Sequence, residues 1–168
     1  MSIQEHKKDF VPLRVLVITI SDTRTKQTDK SGKKMIELLQ GQQHHIIGYE
    51  LVKDDKEAIE AALLKGCQDP RIQVILMNGG TGLSNRDVTF EILERVIEKP
   101  IPGFGEIFRM LSYEEIGSPA MLSRATAGIA QKTVIFSTPG STGAVTLAME
   151  KLILQEMGHI VREMSKDG

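Results

Sequence analysis

Gly79-Gly80-Thr81-Gly82 follows an apolar run that ends at Met77-Asn78 and places three glycines in four residues. Without Cβ atoms the chain can adopt φ > 0, so the backbone N–H groups of such a loop can turn inward on an anion. The periodic stretch that follows predicts a helix, whose positive N-terminal end would lie nearby. No Gly-Lys-Ser/Thr follows, so the loop is not a Walker A motif, and it is not Gly-x-Gly-x-x-Gly either. A tight strand-to-helix turn would use the same residues without a ligand. Arg86-Asp87, a few positions on, weighs toward the phosphate-binding alternative.

Asp87 suits two roles. It is a good helix N-cap. It is also a carboxylate at the lip of a phosphate loop, where it would hold Mg²⁺ or position a phosphate-bearing substrate. Asp54 poses the same choice at the end of another apolar run, with Asp55 as the rival cap. Neither carboxylate would meet a phosphate without a cation between them. Pro139-Gly140-Ser141 reads as a turn feeding a helix. Ser141 either caps that helix or binds a phosphate or carboxylate with the N–H groups behind it. Glu106, in Pro102-Gly103-Phe104-Gly105-Glu106, is a first-turn dipole partner or a site residue. Ser123-Arg124 lies in a small-residue stretch, and Arg124 suits a bidentate phosphate contact. Adjacent His44 and His45 would point to opposite faces of a strand, which argues against a metal site. Cys67 has no evident base nearby and reads as a packing residue. No Ser-His-Asp signature is visible.

The elements that must position these residues alternate in type. Residues 13–20 form a β-branched, nearly continuous apolar run that stops at Ser21-Asp22-Thr23. A strand covered on both faces reads this way. Residues 46–52 predict a weaker strand with a glycine inside it, 72–77 a third and 133–137 a fourth. Between them, Met35, Ile36, Leu38 and Leu39, then Ala58, Ile59, Ala62 and Leu63, then Val88, Ile92, Leu93 and Val96, fall at helical spacing. Phe104, Ile107, Phe108 and Leu111 mark a short amphipathic helix, and this stripe, with the N-terminal arm, is expected at a subunit interface. Residues 120–130 read as helical, a long helix carries Val145, Ala148, Met149 and Leu152, and 159–164 form a final helical turn. The fold class is therefore α/β, doubly wound around a mainly parallel sheet with helices on both faces. Loops after such strands converge on one crevice.

The chain has 168 residues, which predicts a polar arm over 1–12 and a single domain over 13–168. Charged residues make up 26% and Lys+Arg 21 nearly balance Asp+Glu 22. No global field would attract nucleic acid, and 4% aromatics without tryptophan gives no stacking platform, so nucleic acid is not an expected partner. One cysteine excludes an intrachain disulfide. The absence of a signal-like start and of an apolar run of roughly 18 residues predicts a cytoplasmic protein with no membrane association.

Taken in order, Gly79-Gly80-Thr81-Gly82, Arg86-Asp87-Val88-Thr89, Pro102-Gly103-Phe104-Gly105-Glu106, Ser123-Arg124-Ala125 and Pro139-Gly140-Ser141 resemble the molybdopterin-binding MoaB/MogA family. The resemblance spans residues 14–157. Ser21-Asp22-Thr23-Arg24, Thr28-Asp29-x-Ser31-Gly32 and Val52-Lys53-Asp54-Asp55 look more like the MoaB branch. The resemblance implies a homotrimer or homohexamer that binds molybdopterin, a pterin dithiolene with a terminal phosphate. It implies transfer of AMP from Mg²⁺-bound ATP, a co-substrate, to that phosphate, with no tightly bound cofactor. It places Asp54 and Asp87 at acidic catalytic and Mg²⁺ positions. It places the glycine loop on phosphate and Ser141 with its turn on the pterin phosphate side. Ser21, Asp22, Glu106, Ser123 and Arg124 complete the implied binding set. The alternative is a non-catalytic binding or scaffold protein that assembles with other proteins of the pathway.

Overall fold

The structure is a computed structural model that describes residues 10–166. Most of the expected arm, residues 1–9, lies outside them. Strand β1 (Arg14–Ile20) shows why a continuous apolar run folds into the middle of a sheet. Alternate side chains face opposite ways. Val15 and Val17 enter one apolar layer with Met35, Leu39, Phe104 and Phe108. Leu16, Ile18 and Ile20 enter the other with Ile59, Leu63, Ile92 and Leu93. Strands β2 (His45–Val52), β3 (Val74–Asn78), β4 (Lys99–Pro100), β5 (Thr126–Ala130) and β6 (Thr133–Thr138) complete a six-stranded sheet of order β2-β1-β3-β6-β5-β4. β1 pairs in parallel with β2 and β3, and β3 with β6. The register of β1 on β2 slips between Val15 and Leu16, which leaves Ile47 without a partner next to Gly48. A glycine inside a strand commonly marks such a bulge.

Helices α1 (Lys30–Gly41), α4 (Pro102–Ile116), α5 (Thr142–Ala148) and α6 (Leu154–Met164) pack on one face of the sheet, and α2 (Lys56–Gln68) and α3 (Thr89–Val96) on the other. The fold is the doubly wound, mainly parallel α/β sandwich expected. Truncating a fully buried side chain such as Ile18 or Leu39 to Ala would cost about 2–5 kcal/mol. No helix among the described residues is long and apolar enough to cross a membrane.

Three expectations are corrected. Residues 120–130 are not a helix: Ser118–Leu122 is a 3-10 turn, and Thr126–Ala130 is β5, antiparallel to β6. Small residues serve close approach here, since a Cβ on Gly128 would lie 2.4 Å from Ile97 Cγ2 and 2.9 Å from the Lys99 carbonyl oxygen. Lys99–Pro100 is the edge strand β4, where a proline blocks further pairing. Phe104 and Phe108 do not wait for another subunit. They are buried in this chain's own core, with Leu111 packed beside them. The expected final turn at 159–164 is the end of a helical run that starts at Thr142 and passes through a π-turn at Met149–Ile153.

Candidate active site

Strand order decides where the chemistry gathers. β1 leads outward to β2, and the chain returns to β3 on the other side of β1. The loops after β1 and β3 therefore part at a topological switch point, where an open α/β sheet leaves a crevice. A cleft of about 580 Å³ lies there. Residues 21–24 after β1, Asp54 after β2, residues 79–82 with Asp87 after β3, and residues 139–141 after β6 all line it. Ser123, Phe108, Ser112 and Ile116 also line it.

The glycine loop has the backbone expected of it. Gly79 and Gly80 have φ of 99° and 70°, in the left-handed region that side chains disfavour. The Thr89 backbone N–H donates to the Gly80 carbonyl (3.2 Å) and its hydroxyl to the Gly79 carbonyl (3.3 Å), tying the loop to the start of α3.

The two carboxylates resolve differently from simple caps. Asp55, not Asp54, caps α2, accepting from the Ala58 N–H at 3.0 Å. Asp54 is left to the cleft. Its Oδ1 is buried and has no hydrogen-bond partner among the described residues. Burial, with the negative charges of Asp22 and Asp87, raises its pKa above the ordinary aspartate value. Asp87 is not a cap either. Val88 holds the capping position without a side-chain bond, and the Asp87 carboxylate accepts from the Ser84 N–H (3.1 Å) and hydroxyl (2.6 Å). A Cβ on Gly82 would lie 2.8 Å from Asp87 Oδ2, so this carboxylate rests on the glycine loop.

Asp22 lies in the same cleft in a different electrostatic state. Arg86 donates to it twice, at 2.7 and 3.1 Å, and holds its pKa below the usual value. Asp22 also accepts from the Asp54 N–H at 3.0 Å. Ser21 accepts from the N–H groups of Thr23 and Arg24, which organises the loop. Ser141 lines the cleft and caps α5 as well, accepting from the Ala144 N–H at 3.2 Å.

Two predicted site residues are not brought to the cleft. Glu106 is exposed on α4 and lines a separate groove with Phe90, Glu94 and Arg109. Arg124 does not line the cleft. Its guanidinium donates to the carbonyls of Gly82 (2.7 Å), Asp87 (3.0 Å) and Thr81 (3.5 Å) and pairs with Glu91. Expected to grip a phosphate, it grips the loop.

Sequence reasoning missed a polar network that runs from half-buried Arg24 in the cleft wall to fully buried Asp29. Arg24 donates to the Gly140 carbonyl at 2.7 Å, and the Ser31 hydroxyl donates to the same oxygen at 2.6 Å. Arg24 also pairs with Asp29 at 3.5 Å. Asp29 is fully buried, caps α1 through the Gly32 N–H, and accepts from the Tyr49 hydroxyl. In the sequence, Asp29-x-Ser31-Gly32 stood out only as part of the family resemblance. Convergence on Gly140, more than a hundred residues away, has no local signal.

The histidines and cysteine are structural. Buried His44 accepts the Leu13 N–H through Nδ1 at 3.0 Å, while His45 is exposed. Burial pushes the Cys67 thiol up to about 11. Among the described residues, no three His, Cys, Asp or Glu side chains group to hold a metal. A caged metal is excluded on that donor set. Mg²⁺ usually takes one or two carboxylates and leaves its other positions to water and substrate phosphates. The unpartnered Asp54 oxygen and the nearby Asp87 fit that demand.

Residues 16–159 match the family model described as a probable molybdopterin binding domain. The chain is 57% identical over 169 residues to molybdenum cofactor biosynthesis protein B of Bacillus subtilis (strain 168), a match covering 99% of each chain. Among solved structures, a crystal structure of a molybdenum cofactor biosynthesis protein B has a TM-score of 0.89 at 54% identity, covering 92% of this chain and 96% of that one. The tungsten cofactor synthesizing protein MoaB from Pyrococcus furiosus has a TM-score of 0.83 at 36% identity, covering 92% and 98%. By motif order, sheet topology and relatives alike, the chain belongs to the molybdopterin-binding MoaB/MogA family.

Proposed function

We propose that this chain serves molybdenum cofactor biosynthesis by binding molybdopterin in the cleft and transferring AMP from Mg-ATP to its terminal phosphate. The observation that favours transfer over binding alone is Asp54. A phosphate binder has no use for a half-buried carboxylate beside its glycine loop, with one oxygen buried and lacking a hydrogen-bond partner. A site that works on a cation-bound nucleotide does.

In the transfer, a pterin phosphate oxygen bonds to the α-phosphorus of ATP. The bond from that phosphorus to the bridging oxygen breaks, and pyrophosphate leaves with the electron pair. Such chemistry rests on positioning and charge stabilisation, and it needs no protein nucleophile. That suits a cleft without cysteine or histidine. The 79–82 loop would hold phosphate oxygens through its N–H groups, and the 139–141 turn would hold the pterin phosphate. Asp54 and Asp87 would hold Mg²⁺, which supplies neutralisation of phosphate charge when bound.

Purified protein incubated with ATP, Mg²⁺ and molybdopterin should yield adenylylated molybdopterin and pyrophosphate. Molybdopterin binding without product would favour the non-catalytic alternative. One observation supports that second possibility: Asp22 and Asp87 already have protein partners in Arg86 and Ser84.

The chain would work as a homotrimer or homohexamer in the cytoplasm, with other pathway proteins as further partners. Support for assembly comes from Ile107, Met110, Tyr113 and Ile116, exposed at three-residue steps on α4, and from Met121 and Leu122 on the following 3-10 turn. A cluster of this size on a monomer marks an interaction surface.

A further inference from the structure

Two arginines bind the loops of the cleft while pairing with carboxylates outside it. Arg124 pairs with Glu91, and its side chain is 21% exposed. It lies over the Phe90 ring, 5.4 Å from its centre, and its donors go to the carbonyls of Thr81, Gly82 and Asp87. Arg24 pairs with fully buried Asp29, and its donor shares the Gly140 carbonyl with Ser31.

A carbonyl oxygen and the next residue's N–H lie on opposite sides of one planar trans peptide. Pinning the carbonyls of Thr81 and Gly82 therefore sets the N–H directions of Gly82 and Leu83. Pinning that of Gly140 sets the N–H of Ser141. A glycine-rich loop is free to flip its peptide planes, so an external clamp matters most there. A guanidinium, planar and with five donors, can hold several carbonyls at once, whereas an ammonium acts as a compact point charge.

We propose that Arg124 and Arg24 are positioning residues for the cleft. They hold the peptide planes of the 79–82 loop and the 139–141 turn so that N–H groups face a phosphate-bearing ligand, a role that rests on the proposed phosphate-binding use of the cleft. Neither arginine is itself the phosphate ligand.

Titration calorimetry on the full chain, with inorganic pyrophosphate and with Mg-ATP at several salt concentrations, tests this. Wild-type protein that binds neither probe overturns the phosphate-binding use and the clamp with it. Where wild type binds, Arg124→Lys and Arg24→Lys are expected to lose roughly tenfold or more in affinity, as much as Arg124→Gln and Arg24→Gln, because a point charge cannot replace the fork. The salt dependence of the remaining affinity should match wild type, since no phosphate contact has been removed. Lysine variants that keep most affinity, together with glutamine variants that flatten the salt dependence, would identify direct phosphate contacts and overturn the positioning role. Folded variants with wild-type affinity would overturn it too. If the arginine variants do not fold, Ser31→Ala and Glu91→Gln each weaken one clamp and keep its arginine. Both should lose affinity a few-fold, and unchanged affinity in both would refute the proposal.

Discussion

Gly80 and Asp54 are packed against each other: a Cβ on Gly80 would lie 3.3 Å from Asp54 Oδ1 and 2.2 Å from Thr89 Oγ1. The glycine loop and the Asp54 carboxylate thus share one wall of the cleft, and a side chain at position 80 would disturb both. Gly80 also has φ of 70°. Gly80→Val should cost about 1–3 kcal/mol in backbone strain alone. Phosphate binding should be lost with it. Thermal denaturation and calorimetry with pyrophosphate check both effects, and a folded variant with unchanged affinity would reduce the loop to a structural turn.

Asp54 makes the stability of the protein depend on pH in a direction that can be stated. Its folded pKa lies above the ordinary aspartate value of 3.8, through burial first and then the charges of Asp22 and Asp87. Between 3.8 and the raised value the folded state binds more protons than the unfolded one, so this group's contribution falls as pH rises through that window. Above it the destabilisation is fully present. Asp54→Asn should therefore be more stable than wild type at neutral pH, with the difference fading as pH falls toward 3.8. Chemical denaturation across pH measures this. Added Mg²⁺ should raise the melting temperature of wild type and leave that of the variant unchanged.

Asp87→Asn separates charge from hydrogen bonding. The Asn carbonyl oxygen can still accept from Ser84, so the loop should keep its shape. If Asp87 holds Mg²⁺, AMP transfer should fall about 10²-fold or more, which is about 2.7 kcal/mol of transition-state stabilisation. Molybdopterin binding should survive, because removing a negative charge does not weaken attraction for a phosphate. Wild-type turnover in the folded variant would remove Asp87 from the catalytic set.

The exposed face of α4 predicts the assembly. Met110 and Ile116 are 56% and 59% exposed, so a charge there should leave the monomer core intact. Met110→Glu with Ile116→Glu should shift sedimentation from an oligomer toward monomer without lowering the far-UV helical signal. An unshifted oligomer would place the interface elsewhere. Phe104 and Phe108 are unsuitable for this test, since they are buried in the core and their replacement would unfold it.

Much of the site was legible from residue type and local spacing. The 79–82 loop, the Asp22 and Asp54 strand ends and the 139–141 turn each follow a strand with a legible apolar run, and parallel strands deliver their C-terminal loops to one edge. Alternation along β1, with Val15 and Val17 opposed to Leu16 and Ile18, determined a sheet covered on both faces. Residues 120–130 failed because small residues suit a helix and a crowded antiparallel strand equally. Only the closeness of Ile97 and Lys99 to Gly128 decides between them.

What the sequence determined by itself was therefore local: strand and helix periods, positions that favour φ > 0, and which loops carry chemistry. Tertiary structure decided the rest, because a side chain's role depends on what lies opposite it. Asp54 and Asp55 are adjacent and identical, yet Asp55 caps a helix while Asp54 packs one buried oxygen against the glycine loop. Arg124 is chemically equipped for a phosphate, but three loop carbonyls and Glu91 occupy its donors. Arg24 and Ser31 reach one carbonyl more than a hundred residues away. Hydrogen bonds act over about 3 Å of space and carry no trace in sequence separation, so these partnerships exist only once the sheet has brought its loops together.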